Sequence, residues 1–363
     1  MPLRLPLTVE RAVAVRLLSL PAPILRRFAG PPRRSPDGLT LDLQLQALLR
    51  LIEIAKVPSL TGGPVAQARL ALDRSAPTLD VSPAADVSAY DRTVEGAAGP
   101  LRARVYVPRK VRRPSPGLVY LHGGGWVVGS IESHDRVCRA LASRAGIVVA
   151  SVEYRLAPEH PFPAAAEDAI AATRWVLANA ASLEMDPAAI AVGGDSAGGN
   201  LSAVAAQALR HDALRPAFQL LIYPATDMTR ALPSHAMFRD SFFLSRAAGD
   251  WYLSLYLPDA SRAREPLASP LFSEDLCGLP PALVVTCGFD PLRDEGKAYS
   301  DRMRAAGVDV ESVCFEGQMH GVMLLGSALR DGARMIDLAA NRLRTALAQP
   351  AARPTPPARS RPA

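Results

Sequence analysis

From about Asp91 onward the chain alternates short apolar runs with longer stretches of helical periodicity, and no other feature constrains the fold as tightly. The runs Leu101–Val107, Gly117–Leu121, Ile147–Val152, Ile190–Gly193, Phe218–Tyr223, Ala282–Cys287 and Val310–Phe315 read as strands. Amphipathic stretches at Ser133–Ala145, Ala164–Ala181, Ala197–Arg210, Arg293–Ala306 and Leu325–Leu347 read as helices. Strands that are apolar on both faces need cover on both faces, and helices placed between them supply it as crossovers. The expectation is an α/β fold with a mostly parallel sheet between two helical layers.

The alternation breaks between Asp227 and about Leu267. That stretch gathers Phe238, Phe242, Phe243, Trp251, Tyr252 and Tyr256. It reads as an insertion over the sheet edge that forms part of a pocket, against the plainer alternative of local core. Ahead of the strands, Leu39–Lys56 carries Leu41, Leu45, Leu48, Leu49 and Ile52 on one stripe, and a second helix is expected over Pro64–Asp73. The segment Thr8–Leu20 is modestly amphipathic and reads as a docking helix rather than a membrane-surface anchor, and Gly30–Gly38 is a breaker-rich linker. The expected organisation is a basic N-terminal extension at 1–38, cap helices at 39–90 and a catalytic domain at 91–349. The domain would carry the cap insertion at about 227–267, and a disordered Pro/Arg-rich tail would follow at 350–363.

The net charge of +6 suggests nucleic acid until it is located. Residues 1–38 hold seven Arg against Glu10 and Asp37, and the last fourteen residues hold Arg353, Arg359 and Arg361 without an acid. These two ends account for +5 and +3, so the body between them is −2. A phosphate-binding groove needs positive charge on the folded surface, so no nucleic-acid partner is expected. Arg11, Arg16 and the Pro21/Pro23 pair interrupt any signal-peptide core. The basic first thirty residues leave a weak peripheral membrane contact open. Four cysteines (Cys138, Cys277, Cys287, Cys314) show neither CxxC pairing nor zinc-ligand spacing, which fits isolated thiols in a reducing cytoplasm and no metal.

Two glycine-bearing motifs carry the chemistry. Gly194-Asp195-Ser196-Ala197-Gly198 is a G-x-S-x-G that follows the strand IAVG and opens a helix. A serine on so sharp a turn needs neighbours without bulk, and the helix N-terminus and the Ala197 N–H favour negative charge developing beside it. His122-Gly123-Gly124-Gly125-Trp126 follows the strand GLVYL, where glycine backbone passes close to a ligand. The amides of Gly123 and Gly124 are the expected donors to an oxyanion, together with that of Ala197.

A serine hydroxyl needs a base oriented by an acid. His320, in GQMHGV after the last strand, is the expected base; His235 lies in the aromatic insertion and precedes every good acid. Asp290, where the strand ALVVTCG runs out, is the expected acid, with Asp294 in reserve. Asp294 and Glu295 fall in the first turn of the next helix, where acids complement the dipole without a catalytic role.

HGGGW, EYRLAPEHPFPAA (Glu153–Ala165), GDSAGGN and DPLRDEG, in that order, resemble the hormone-sensitive-lipase family of α/β-hydrolases, the bacterial family IV esterases. The resemblance covers roughly Leu101–Leu347. It implies an eight-stranded sheet with a cap built from N-terminal helices and an insertion after the sixth strand. It also implies Ser196, Asp290 and His320 as nucleophile, acid and base, and Gly123, Gly124 and Ala197 as oxyanion donors. The implied activity is hydrolysis of short- to medium-chain carboxylic esters through an acyl-enzyme, without a cofactor, and a homodimer is common in the family. Tyr154 and Arg155 match a family segment that reads as structural. Two other functions stay open on the same framework: hydrolysis of amides or formamides, and non-catalytic binding, against which the intact His320 argues.

Overall fold

The computed structural model describes residues 7–240 and 243–348. Eight strands form one sheet: β1 (Val87–Gly96), β2 (Gly99–Pro108), β3 (Ser115–Leu121), β4 (Val148–Val152), β5 (Met185–Asp195), β6 (Phe218–Ile222), β7 (Ala282–Phe289) and β8 (Val310–Met319). Their order across the sheet is β1-β2-β4-β3-β5-β6-β7-β8. β1 and β2 form an antiparallel hairpin, β2 pairs antiparallel with β4, and every later pairing is parallel. The α/β expectation therefore holds.

Period-two alternation along the central strands divides the core. Val119 and Leu121 of β3, with Ile190 and Val192 of β5, pack against the helices Ala164–Ala178 and Ala197–Leu209. Leu118 and Tyr120, with Ala189 and Ala191, pack against Ile131–Ala145 and Arg330–Ala348. Each buried Leu, Val or Ile contributes about 1.5–3 kcal/mol relative to exposure.

Departures from the sequence reading have local causes. β1 is an edge strand that is largely exposed, so no apolar run announces it; it starts at Val87, inside the segment expected to be cap. The helix expected over Leu325–Leu347 starts at Arg330, after a turn in which the Ser327 amide donates to Leu79 O. The helix expected to end at Asp73 runs to Leu79. In the N-terminal segment, helices Leu7–Leu18 and Ala22–Ala29 bury Leu18, Leu25 and Ala29 in the core shared with Leu45, Leu48 and Leu49. Gln46 Nε2 donates to Ala29 O at 3.0 Å and to Pro31 O at 2.7 Å, and Gln44 Nε2 donates to Leu18 O at 2.9 Å. Phe242 and the tail expected at 350–363 lie outside the described residues. No helix among those described is long and apolar enough to cross a membrane.

Candidate active site

The parallel strands β5, β7 and β8 end on the same edge of the sheet, where open α/β sheets gather their ligands. β5 passes directly into Ser196, which adopts φ 56° and ψ −118° before the helix Ala197–Leu209 begins. Such a backbone costs a non-glycine residue about 1–3 kcal/mol, so the surroundings must impose it. They do so by close approach: a Cβ at Gly194 or Gly198 would overlap the Leu121 carbonyl oxygen at the end of β3. The Ser196 N–H donates to Ile222 O at 2.9 Å, which fixes the turn to β6.

His320 follows β8 immediately, and its Nε2 lies 2.8 Å from Ser196 Oγ. Its Nδ1 lies 2.8 Å from Asp290 Oδ2. Asp290 follows β7, is fully buried, and accepts the Leu292 N–H at 2.9 Å through its other oxygen. The Tyr223 ring stands 4.7 Å from the imidazole, limiting its rotation. Thus the three residues expected as nucleophile, base and acid meet in one hydrogen-bonded line. Asp294, the reserve acid, is elsewhere: it accepts the Ser234 N–H at 2.9 Å and the Arg293 Nε at 2.9 Å.

The glycine loop departs from expectation at one position. Gly123 was expected to aim its N–H at an oxyanion, but it donates to Asp195 Oδ1 at 3.0 Å. A committed donor is not available to a substrate. The next two residues, Gly124 and Gly125, take φ values of 128° and 60°, open to glycine and strained for most others. Their N–H groups and that of Ala197 have no acceptor among the described residues. The loop is braced from several sides. Tyr154 donates to His122 O at 2.7 Å and stacks on its ring at 4.3 Å. The Trp126 ring stacks on Tyr256 of the insertion at 4.4 Å. Arg69, on the helix Val65–Leu79, donates to Val127 O at 2.8 Å. Arg155 forks onto the buried Asp168 at 2.7 and 2.9 Å, in keeping with a structural part for that segment.

Sequence reasoning missed one buried pair. His235 Nε2 lies 2.6 Å from Glu295 Oε2, and Glu295 Oε1 accepts the Thr226 and Asp227 amides at 2.6 and 3.2 Å. Burial pushes the Glu295 carboxyl up, opposed by His235. The first-turn acid thus ties the insertion's short helix Pro233–Met237 to the segment that carries Asp290. Sequence position alone could not show this, because helix-dipole complementarity explains an acid there equally well. Among the described residues no group of three or more His, Cys, Asp or Glu side chains could hold a metal ion.

A family model described as alpha/beta hydrolase fold (Abhydrolase_3) matches residues 118–324. Carboxylic ester hydrolase LipN of Mycobacterium tuberculosis is 40% identical over 321 residues, which is 86% of this chain and 85% of that protein. The chain is a hormone-sensitive-lipase-family α/β-hydrolase. Carboxylesterase NlhH, also of Mycobacterium tuberculosis, is 47% identical over 222 residues, 60% of this chain and 70% of that protein. An ester hydrolase from the metagenome of Lake Arreo, solved in complex with a derivative of bipyridine phosphonate, superposes on this family member with a TM-score of 0.82 at 41% identity. That match covers 85% of this chain and 100% of the other. A hyperthermophilic esterase from Pyrobaculum calidifontis gives 0.79 at 40% identity, over 84% and 98% of the two chains.

Proposed function

We propose that this chain is a serine carboxylesterase acting on short- to medium-chain carboxylic esters through an acyl-enzyme. The observation that carries the reading is the unbroken line from Asp290 through His320 to Ser196, with both links at 2.8 Å. The relatives named as ester hydrolases support the substrate class.

In the proposed reaction His320 Nε2 takes the Ser196 proton as Oγ attacks the ester carbonyl carbon. Asp290 accepts the Nδ1–H, holds the productive tautomer and balances the imidazolium charge. The N–H groups of Gly124, Gly125 and Ala197 receive the oxyanion. Gly125 stands here in the place first expected of Gly123, because only unpaired donors can answer charge as it develops. Removing one such donor typically costs about 10²–10³ in kcat. The alcohol leaves with the proton held on His320. Water, activated by the same imidazole, then releases the acid and restores the serine.

The test combines Ser196→Ala with an acyl-length series from acetyl to palmitoyl 4-nitrophenyl esters. The wild type is expected to turn over the shorter esters and to be labelled at Ser196 by a fluorophosphonate. The variant should lose at least about three orders of magnitude in kcat while keeping its unfolding midpoint. Near-wild-type turnover by the variant would overturn the assignment.

A further inference from the structure

Asp195 occupies the variable position of G-x-S-x-G, yet it is among the most closely held side chains in the molecule. It is 2% exposed, and its Oδ1 accepts the Tyr120 hydroxyl at 2.7 Å and the Gly123 N–H at 3.0 Å. His134 Nε2, from the helix Ile131–Ala145, lies 3.3 Å from the same oxygen without forming a hydrogen bond to it. Its Nδ1 is held by Ser133 Oγ at 2.8 Å. Burial is the largest influence on each, raising the Asp195 carboxyl and lowering the His134 imidazole. It is outweighed by their attraction together with the Tyr120 and Gly123 hydrogen bonds to the acid and the Asp80 charge and Ser130 backbone beside the imidazole. The acid ends below its ordinary range and the imidazole above. The neighbouring His122, pushed down to about 3 by burial and by the charge of His134, stays neutral.

This arrangement has two consequences for the reacting centre. An isolated buried anion one residue from the nucleophile would repel the negative charge that forms there, and the His134 imidazole, made more basic by the carboxylate, lies 3.3 Å away to offset it. The carboxylate also draws the Gly123 N–H back into the protein, and a Cβ at Gly123 would overlap Asp195 Oδ2. Beyond that pinned peptide, Gly124 and Gly125 hold positive φ, and their N–H groups are the ones left without an acceptor among the described residues.

We propose that Asp195 is a positioning residue for the oxyanion donors: it clamps the Gly123 peptide so that the Gly124 and Gly125 amides face the reacting carbonyl. The proposal rests on the esterase reading given above. Asp195→Ala removes the clamp, and Asp195→Asn restores an acceptor oxygen of the same shape. Each variant is assayed for kcat and KM per burst-titrated site, and for inhibition by a trifluoromethyl ketone, whose tetrahedral adduct needs the same donors.

Asp195→Ala is expected to lose about 100-fold in kcat, the scale of one oxyanion donor, with KM within about threefold. Ketone affinity should fall in parallel, and Asp195→Asn should recover about tenfold of the lost kcat. A merely structural side chain would lower the number of titratable sites and leave kcat per site alone; that result overturns the proposal. So does an Asn variant no better than Ala. If Asp195→Ala does not fold, Tyr120→Phe carries the test: a kcat loss of about threefold to tenfold supports the clamp, and an unchanged kcat overturns it. A wild-type chain with neither burst nor fluorophosphonate adduct overturns the esterase reading and this inference with it. A wild-type burst with unaffected variants overturns this inference alone.

Discussion

Replacing Asp80 by Asn should stabilise the protein relative to the wild type by an amount that grows as pH rises. Asp80 closes the helix Val65–Leu79 and is 1% exposed. One carboxylate oxygen accepts the Val81 N–H at 2.6 Å, and the other has no partner among the described residues. Burial pushes this carboxyl up to about 7, against the Val81 hydrogen bond and the charges of His134 and Arg136. The unfolded chain has the ordinary value of 3.8. Below about pH 4 both states hold the proton and nothing is lost. Between 4 and 7 only the folded state holds it, so unfolding releases a proton and stability falls as pH climbs. Above 7 the penalty is complete. At 1.36 kcal/mol per pH unit the full interval comes to roughly 4 kcal/mol, of which about 3 kcal/mol falls between pH 5 and 8. Asparagine has no such ionisation. Urea unfolding of both proteins at half-unit pH intervals should therefore show the variant gaining about 3 kcal/mol on the wild type over that range. A difference that stays constant within about 0.5 kcal/mol would refute the reasoning, since Asp80 would then titrate alike in both states.

Gly198→Ala places a Cβ on the Leu121 carbonyl oxygen and close to His122 O, both backbone atoms that cannot rotate away. A loss of about 3 kcal/mol, read as a lower unfolding midpoint and lost turnover, is expected, and a wild-type midpoint would contradict the close packing described. His235→Ala leaves Oε2 of the fully buried Glu295 without its hydrogen-bond partner. Urea unfolding should show a loss of about 1–3 kcal/mol, and a loss below about 0.5 kcal/mol would show that the pair does not hold the insertion down.

Much of the fold was legible because burial on both faces writes itself into sequence. The central strands read as apolar runs since water reaches neither side of them, whereas β1 was missed because most of its side chains face solvent. The Ser196 turn was legible for a related reason, because a backbone carbonyl within contact range leaves room only for glycine at Gly194 and Gly198. His320 and Asp290 followed from chain order and strand ends. The loop donors were not settled in the same way: three consecutive glycines are equally permissive, and no pattern among Gly123, Gly124 and Gly125 says which N–H turns inward.

What the residues determined by themselves, then, was the layered sheet and the identity of the groups that end on its rim, because hydrophobic periodicity and steric demand act on near neighbours along the chain. Which partner each polar group takes was decided only by folding. Asp195 meets Gly123 and Tyr120, His235 meets Glu295, and Gln46 meets Ala29, all across separations that local preference does not span. A buried polar atom must be satisfied by whatever the tertiary structure brings within about 3 Å, and that is a property of the packed whole.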